Sequence, residues 1–312
     1  MRWYNIGNHF RYERPQKGRG REFWQLNADI FGVEGLDAEI EIIGLAYEIM
    51  KSFGSKRDDF QIKVNDRAFV QEIFDESGLD LEQSYTISKI FDRKSKLTQE
   101  EFKTQVKTVL GDKTDEFLSV IESIDVPQSV QEVIDELGEN GIENVVFDMF
   151  LMRGFDYYTG IVFEVFDTDP ANNRSMFGGG RYDNLLDIFG EEKLPAVGFG
   201  MGDMVLLEFL QSRNLLPKYE STTNLYLCIF EPEYKDFTNK LAKQLREKKM
   251  NVAVDYSYAK IGKQIKVADK KNIPFVICIG EDEVKNDEFV LKNMNNGKNI
   301  KLNREELFEK MK

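Results

Sequence analysis

The chain has 312 residues, of which 41% are hydrophobic and 31% are charged, an ordinary composition for a globular protein of two or three domains. A net charge of −13 argues against indiscriminate binding to nucleic acids. Because no apolar run approaches the roughly 20 residues that span a bilayer, and because the N-terminus lacks the apolar stretch of a signal peptide, we expect a cytoplasmic protein without a membrane partner.

The first predicted element is an antiparallel hairpin over residues 1–32. The segments WYNIGNHFRYE and EFWQLNADIFG alternate in strand fashion, and the basic loop RPQKGRGR separates them. Arg11 and Glu13 share one face at period two, as do Gln25 and Asp29 on the second strand. An arginine can hold a phosphate with two parallel hydrogen bonds, so the hairpin is a candidate phosphate site. The same polar rows are also compatible with an exposed sheet that carries cross-strand ion pairs.

Helix and strand patterns follow the hairpin. Apolar spacing predicts a helix over 36–54 with Asp37 as its N-cap, and then the strand QIKVND. Residues 67–142 are polar and acidic and predict an inserted helical module, after which strand character returns at 145–166. A GGGR turn, the helix YDNLLDIFG and the segment PAVGFGMGD come next, and Asp203 is the predicted N-cap of the helix MVLLEFLQSRN.

The last third of the chain has a different pattern. After a predicted linker at 215–223, strands and helices alternate over 224–312, which predicts a small, separate α/β domain. Cys228 and Cys278 lie in the strand-like runs LYLCIF and FVICIG, and we expect buried, inert thiols there. Two cysteines and a single histidine are too few for a zinc site or a histidine cluster, so no metal site is predicted.

Four blocks of sequence carry the functional signal. FRYERPQKGRGREFWQLNADIFG occupies 10–32, LMRGFDYYTGIVFE 151–164, GGGRYDNLL 178–186 and PAVGFGMG 195–202. In order and spacing they resemble motif 2, the two histidine signatures and the start of motif 3 of the histidyl-tRNA synthetases, a family of class II aminoacyl-tRNA synthetases. The later stretch GKQIKVADKKNIPFVICIGEDEVK resembles the anticodon-binding domain of the same family.

This resemblance implies a fold and an activity. The fold would be an α+β antiparallel class II synthetase catalytic sheet with a helical insertion at about 67–142. This partial catalytic core over 1–214 would be followed by a small α/β anticodon-binding domain over 224–312. The activity would be that of a histidine–tRNA ligase, which forms histidyl-adenylate from histidine and ATP with Mg²⁺ and then charges tRNA(His). The full-length protein would be a homodimer.

The motif positions also imply residue roles. Arg11 and Arg153 would be catalytic, because fixed cations stabilise the charge that builds on the α-phosphate oxygens. The residues implied to bind ATP are Arg11, Glu13 and Arg21. The residues implied to bind histidine are Gln25, Asp29, Arg153, Tyr157, Tyr158, Gly179, Gly180 and Tyr182. The residues implied to contact tRNA are Lys17, Arg19, Lys263 and Lys266.

Two features depart from the family pattern. Val205 stands where motif 3 would place an arginine near the ATP γ-phosphate, so we expect either another cation there or weakened nucleotide binding. The chain also starts at motif 2 and has no counterpart of motif 1, which builds the dimer interface of the family. We therefore expect an N-terminally truncated synthetase whose sheet exposes an edge, and poor folding or no adenylation if the chain is complete.

Two other functions fit parts of the pattern. A catalytically inactive paralogue could act as the histidine-sensing regulatory subunit of ATP phosphoribosyltransferase, and a synthetase-like domain could act as a tRNA-binding sensor. The regulatory subunit usually lacks the anticodon-binding domain, so the helix with Lys263, Lys266 and Lys270 at i, i+3 and i+7 argues against it. The presence of Arg11, Arg153 and the DYYTG segment favours catalysis.

Overall fold

The structure is a computed structural model, and it describes residues 1–12, 14, 18–152, 157–172, 174–190 and 193–311. The chain divides into two compact units, Met1–Leu216 and Pro217–Lys312. Across the described residues, no helix is both long enough and apolar enough to cross a membrane.

A seven-stranded sheet forms the centre of the first unit. Its strands are β1 (Arg2–Phe10), β2 (Glu22–Phe31), β3 (Phe60–Asp66), β4 (Val145–Phe147), β5 (Ile161–Asp167), β6 (Ser175–Arg181) and β7 (Ala196–Gly202). They lie in the order β1-β2-β7-β6-β5-β3-β4, and every neighbouring pair is antiparallel except β3 and β4, which run parallel. The predicted hairpin and the predicted antiparallel sheet are therefore confirmed.

Strand β1 is an edge of this sheet, and its side chains are unusually apolar for an edge. Trp3, Tyr4 and Ile6 are 63%, 71% and 64% exposed. Arg2 forms an ion pair with Glu41 at the same edge. An exposed apolar edge strand is an association-prone surface, because its backbone groups and side chains are both available to another chain.

In the described part of the first unit, seven α-helices accompany the sheet. They are α1 (Asp37–Ser52), α2 (Arg67–Glu76), α3 (Leu81–Asp92), α4 (Gln99–Leu110), α5 (Thr114–Glu122), α6 (Gln128–Glu139) and α7 (Asp203–Ser212). Helices α1, α6 and α7 share one core with the sheet, in which Ile42, Val133 and Phe209 are buried. Helix α1 forms because apolar residues recur on one face at helical spacing.

Helices α2 to α5 form a second core, to which Met149 and Met152 also contribute. Four of its ring contacts have centroid separations of 5.8 to 6.2 Å. The rings that meet there are Phe74, Phe91, Phe102 and Phe117. Within the span 67–142, helix α6 does not share this core, because Val130, Val133 and Leu137 pack into the core of the sheet.

Both predicted N-caps are wrong by one position. Leu36 is the N-cap of α1 and makes no side-chain cap hydrogen bond, so Asp37 is already in the first helical turn. Its carboxylate acts there on the helix dipole instead of capping a backbone N–H. Likewise Gly202 is the N-cap of α7, and Asp203 is the first helical residue.

Three predictions near the centre of the sheet are also corrected. The predicted GGGR turn belongs to β6, which is hydrogen-bonded to strands on both sides. The helix predicted for YDNLLDIFG is a single 3₁₀ turn, Leu185–Phe189. The strand predicted over 145–166 is interrupted between β4 and β5, where the Asn65 amide donates to the carbonyls of Met149 and Leu151. The Asn65 side chain thus binds carbonyl groups that would otherwise accept hydrogen bonds from a neighbouring strand.

The second unit is a five-stranded α/β fold. Its strands are β8 (Leu225–Ile229), β9 (Val252–Val254), β10 (Phe275–Ile279), β11 (Glu288–Asn293) and β12 (Asn299–Asn303), and its helices are α8 (Lys235–Glu247), α9 (Ile261–Lys270), α10 (Glu281–Asn286) and α11 (Arg304–Lys310). The strand order is β12-β11-β10-β8-β9, with β8 parallel to both of its neighbours. The predicted alternation of strands and helices is confirmed, whereas the short helix α10 was not predicted.

We predict that Gly179→Ala destabilises the first unit. A Cβ atom on Gly179 would lie 1.9 Å from the carbonyl oxygen of Gly198, so two neighbouring strands would have to separate. We expect the free energy of unfolding to fall by about 3 kcal/mol. The measurement is chemical denaturation followed by circular dichroism.

The matched control is Gly138→Ala in helix α6, where an added Cβ meets no atom within 4 Å. Alanine has the better helix propensity, so this variant should be more stable by up to about 1 kcal/mol. Equal stability of the two variants would contradict the proposed strand contact.

Candidate active site

Two adjoining cavities lie beside strand β2, and Gln25 lines both of them. The tyrosine cavity has a volume of about 370 Å³, and the arginine cavity one of about 260 Å³. The polar and aromatic residues of the tyrosine cavity are Gln25, Asn27, Asp29, Tyr157, Tyr158, Phe199 and Tyr182. The charged residues of the arginine cavity are Arg11, Arg19 and Glu164. Gln25 and Gly200 line both cavities, so the two form one cleft.

The cleft exists because polar side chains on β2 face glycines on β7. Gln25, Asn27 and Asp29 alternate along β2 and are paired with Gly202, Gly200 and Gly198. A Cβ atom on Gly198 would lie 2.1 Å from Asp29 Oδ1, and one on Gly200 would lie 2.7 Å from Gln25 Nε2. The polar side chains therefore lean over glycine backbone, and any larger residue on β7 would displace them.

Asp29 and Tyr182 form the polar centre of the tyrosine cavity. The Tyr182 hydroxyl donates a hydrogen bond to Asp29 Oδ1. Burial raises the pKa of Asp29, and the hydrogen bond from Tyr182 partly opposes this shift. Burial and the neighbouring Asp29 carboxylate both raise the pKa of Tyr182 above its usual value. The phenol is therefore protonated at neutral pH and acts as a hydrogen-bond donor beside an acceptor.

Two further tyrosines complete the wall of this cavity. The ring centroids of Tyr157 and Tyr158 are 4.3 Å apart, and they lie 6.2 and 6.5 Å from that of Tyr182. Edge and tilted contacts of this kind stabilise aromatic clusters. The cavity thus presents flat aromatic surfaces around one carboxylate, which suits a small planar group that can both donate and accept hydrogen bonds.

Arg11 has a fixed position in the arginine cavity. Its guanidinium carbon lies 4.4 Å from the centre of the Phe23 ring, and its Nε donates to the carbonyl of Gly20 at 3.0 Å. The backbone N–H of Arg11 also donates to the carbonyl of Arg21 at 2.9 Å, which closes the base of the hairpin loop. A cation held in this way is preorganised for a phosphate.

A buried ion pair below the sheet holds Tyr182 in place. Arg181 is the last residue of β6, and its Nε and Nη2 donate to the two carboxylate oxygens of Glu39 at 2.6 and 2.7 Å. Its remaining donors bind the carbonyls of Val33 and Gly35 and the carboxylate of Asp183. The Arg181 and Glu39 side chains are only 9% and 1% exposed.

Comparison with known proteins identifies the family of the chain. A family model described as histidyl-tRNA synthetase matches residues 1–204, and one described as an anticodon-binding domain matches residues 224–312. The histidine–tRNA ligase of Leptospira biflexa is 37% identical over all of this chain and 75% of its own length. The enzyme of Pyrococcus horikoshii is 31% identical over all of this chain and 77% of its own length.

The chain belongs to the histidyl-tRNA synthetase family. It is therefore an aminoacyl-tRNA synthetase by descent, as the sequence motifs predicted. The crystal structure of the histidyl-tRNA synthetase from Nostoc has the same fold, with a TM-score of 0.74 at 23% identity, and the alignment covers all of this chain and 77% of that one. The apo enzyme of S. aureus aligns with a TM-score of 0.70 at 23% identity, over 99% of this chain and 76% of that one.

The structure brings together most of the described residues that the synthetase motifs singled out. The residues with a predicted role that line the two cavities are Arg11, Arg19, Gln25, Asp29, Tyr157, Tyr158 and Tyr182. Gly178 lines the tyrosine cavity, whereas Gly179 and Gly180 continue the same strand outside its lining. Arg21 lies outside both linings, with its guanidinium carbon 5.7 Å from the centre of the Tyr12 ring.

Three predicted synthetase residues, Glu13, Lys17 and Arg153, lie outside the described residues. Their roles stay predictions from the motifs. Lys263 and Lys266 belong to helix α9 of the second unit, where both are exposed.

Val205, which stands where motif 3 would place an arginine, lines the arginine cavity. Its side chain faces the hairpin loop, because a Cβ atom on Gly18 would lie 3.1 Å from Val205 Cγ2. Among the described residues that line this cavity, Arg11 and Arg19 provide the positive charge. The positive charge in the described part of this cavity thus comes from the block at 10–32 and not from α7.

Two residues of the site were missed from the sequence. Glu164 lines the arginine cavity. It is the one charged residue in the strand IVFEVFD before the final aspartate, and a charge inside an apolar strand is a signal that could have identified it. Glu39 is buried at the start of an amphipathic helix. No local signal distinguishes it from the exposed Glu41, because only the position of Arg181 decides which carboxylate is paired.

We predict that Glu39→Gln destabilises the fold strongly. The change leaves the buried Arg181 guanidinium without its counter-charge, and breaking a buried pair from one side costs about 3–5 kcal/mol. The measurement is the free energy of unfolding of the variant by chemical denaturation.

The control is Glu41→Gln, two residues away on the same helix. It breaks an exposed pair with Arg2, so solvent screening should leave stability nearly unchanged. A similar loss of unfolding free energy in both variants would show that the buried pair of Arg181 and Glu39 contributes no more to stability than the exposed pair.

Proposed function

We propose that the protein is a histidine–tRNA ligase, which activates histidine with ATP and transfers it to tRNA(His). The observation that carries the proposal is the cleft itself, in which a carboxylate–tyrosine pair and a fixed arginine flank the shared residue Gln25. A histidine whose imidazole bound Asp29 would direct its carboxylate along the cleft toward the arginine cavity. The family membership of the chain supports the same activity.

Histidine would bind in the tyrosine cavity. The imidazole has one nitrogen that donates and one that accepts a hydrogen bond in its neutral form. Asp29 would accept from the N–H. The other polar side chains that line the cavity are Gln25, Asn27, Tyr157, Tyr158 and Tyr182. An apolar side chain of similar size would bring Asp29 no hydrogen-bond donor besides the Tyr182 hydroxyl and would still displace water from this half-buried carboxylate, which is costly. The cavity thus selects an amino acid with a nitrogen heterocycle.

ATP would bind in the arginine cavity. A carboxylate oxygen of histidine would attack the α-phosphorus, and the bond from that phosphorus to the bridging oxygen would break, releasing pyrophosphate. Arg11 would stabilise the charge on the nonbridging oxygens. Arg153 would join it and Glu13 would accept from the adenine amine, as the motifs imply.

Mg²⁺ would enter as part of the nucleotide substrate. Among the described residues, no group of three or more His, Cys, Asp or Glu side chains is arranged to hold a metal ion alone. Magnesium commonly binds one or two carboxylates together with substrate phosphates, and Glu164 offers a carboxylate in the arginine cavity. The residues present therefore fit an ion carried by ATP.

Residues 1–214 would be the catalytic core and 224–312 the anticodon-binding domain. The match of the second region to an anticodon-binding domain supports a ligase over a regulatory subunit of ATP phosphoribosyltransferase. A structure from Bacillus halodurans described as that regulatory subunit or a histidyl-tRNA synthetase shares the fold, with a TM-score of 0.62 at 20% identity over 89% of this chain and 73% of that one.

Exchange of pyrophosphate into ATP, followed by charging of tRNA(His), tests the proposed activity. We expect exchange with histidine and not with other amino acids, and transfer of labelled histidine to the tRNA. A chain that binds histidine but supports neither reaction would contradict the ligase and favour the sensing role.

We predict that Arg11→Ala lowers kcat of histidine-dependent exchange by about 10²- to 10³-fold, because it removes a preorganised charge from the transition state. Histidine affinity, measured by calorimetry, should change little, since Arg11 does not line the tyrosine cavity. The matched control is Arg2→Ala, which removes an arginine from the neighbouring strand outside both cavities. Wild-type exchange by the Arg11 variant would refute its role.

We predict that reversing the charges of Lys263 and Lys266 to Glu weakens tRNA binding and leaves exchange intact. Each lost phosphate contact should lower the slope of log K against log salt concentration by about one. The control reverses Lys240 and Lys243, which are exposed on helix α8 of the same unit. Equal loss of tRNA binding in both double variants would show that helix α9 has no particular part in it.

A further inference from the structure

The two cysteines of the chain, which the sequence separates by fifty positions, are direct neighbours in the second unit. Cys228 on β8 and Cys278 on β10 are partners in the register of two parallel strands. Adjacent strands lie about 4.8 Å apart, and a disulfide needs Cα atoms about 4.4–6.8 Å apart. Because register partners point to the same face of a sheet, the two side chains stand side by side.

The two thiols interact with each other and differ in environment. Interaction with the neighbouring thiol raises the pKa of Cys228 and lowers that of Cys278. Cys228 is buried, whereas Cys278 is partly exposed, which corrects the expectation of two buried thiols. Lys292 also favours the Cys278 thiolate, whereas burial and Glu283 oppose it. An oxidant would therefore meet Cys278 first.

Helix α9 covers this pair. Ala268 and Ile265 of α9 belong to the same apolar cluster as the two cysteines. The buried Gln264 side chain of α9 accepts from the backbone N–H of Ile229 at 3.0 Å and donates to its carbonyl at 2.8 Å. These two hydrogen bonds fix Ile229, the residue next to Cys228, to helix α9. Strand β8 and its thiol are thereby held against β10.

We propose that Cys228 and Cys278 form a redox-active dithiol that a hydroperoxide converts to an intramolecular disulfide. The Cys278 thiolate attacks one oxygen of hydrogen peroxide, the O–O bond breaks, and a sulfenic acid and hydroxide form. The Cys228 sulfur then attacks the Cys278 sulfur, the S–O bond breaks, and the Cys228 proton leaves with the hydroxyl group as water. Overall, two thiols and one peroxide give one disulfide and two waters.

The experiment uses the reduced 312-residue chain and a small molar excess of hydrogen peroxide. Because the sequence holds only two cysteines, any disulfide within one chain must join this pair. We expect both thiols to disappear together, the intact mass to fall by two hydrogen atoms, and the product to stay monomeric on a non-reducing gel. A dithiol reductant should restore both thiols. A gain of oxygen atoms at Cys278 with the Cys228 thiol retained, or a disulfide between chains, would overturn the proposal.

Two single variants test the order of the steps. In Cys278→Ser the buried Cys228 thiol should resist oxidation. In Cys228→Ser the Cys278 sulfur should stop at the sulfenic acid or be oxidised further, because its resolving thiol is absent. Circular dichroism checks that both variants fold, and the mass measurement on the unmodified chain decides the proposal without either of them. Oxidation of Cys228 in the first variant as fast as in the wild type would contradict attack at Cys278.

Discussion

The buried ion pair between Arg181 and Glu39 is the interaction on which the active-site geometry depends. All five N–H donors of the guanidinium are used in its hydrogen bonds, two of them on Glu39. Such saturation makes burial of the charges tolerable, since an incompletely bonded pair would cost more than it contributes. Because successive residues point to opposite faces of a sheet, fixing Arg181 on the side of α1 directs Tyr182 to the cleft. The packing of α1 thereby helps to determine where the Tyr182 hydroxyl lies.

The same sheet creates the space in which substrates would meet. Polar side chains on β2 lie across from glycines on β7. The cleft exists because these glycines have no side chains to fill the space beside the polar groups of β2. One end offers a carboxylate, a protonated phenol and aromatic rings, and the other offers arginine. An arginine end and a carboxylate–tyrosine end on one sheet would suit the proposed reaction of an amino acid with a nucleotide, because both substrates would be held in position before the bond forms.

Several elements were predictable from local pattern. The β1–β2 hairpin and helix α1 have clear periods of two and 3.6, and the second unit shows its alternation of strands and helices directly. Other elements were not. The GGGR segment contains the residues of a turn, yet it is a central strand, because its glycines permit close contact with β5 and β7. Helix α6 has the composition of the helical module but packs in the sheet core, because its apolar face is buried against α1 and the sheet. Local composition cannot show which partner a helix face will find.

The sequence by itself determined the family, the motif order and the identity of seven residues that line the cleft, because these depend on residue type and spacing along the chain. Only the tertiary structure decided that Asp29 meets Tyr182, that Glu39 and not Glu41 is buried with Arg181, and that Cys228 faces Cys278. These pairs are separated by between 50 and 153 positions. Their contacts follow from strand register and helix packing, which arise from the burial of many apolar side chains at once and leave no mark at either residue of the pair.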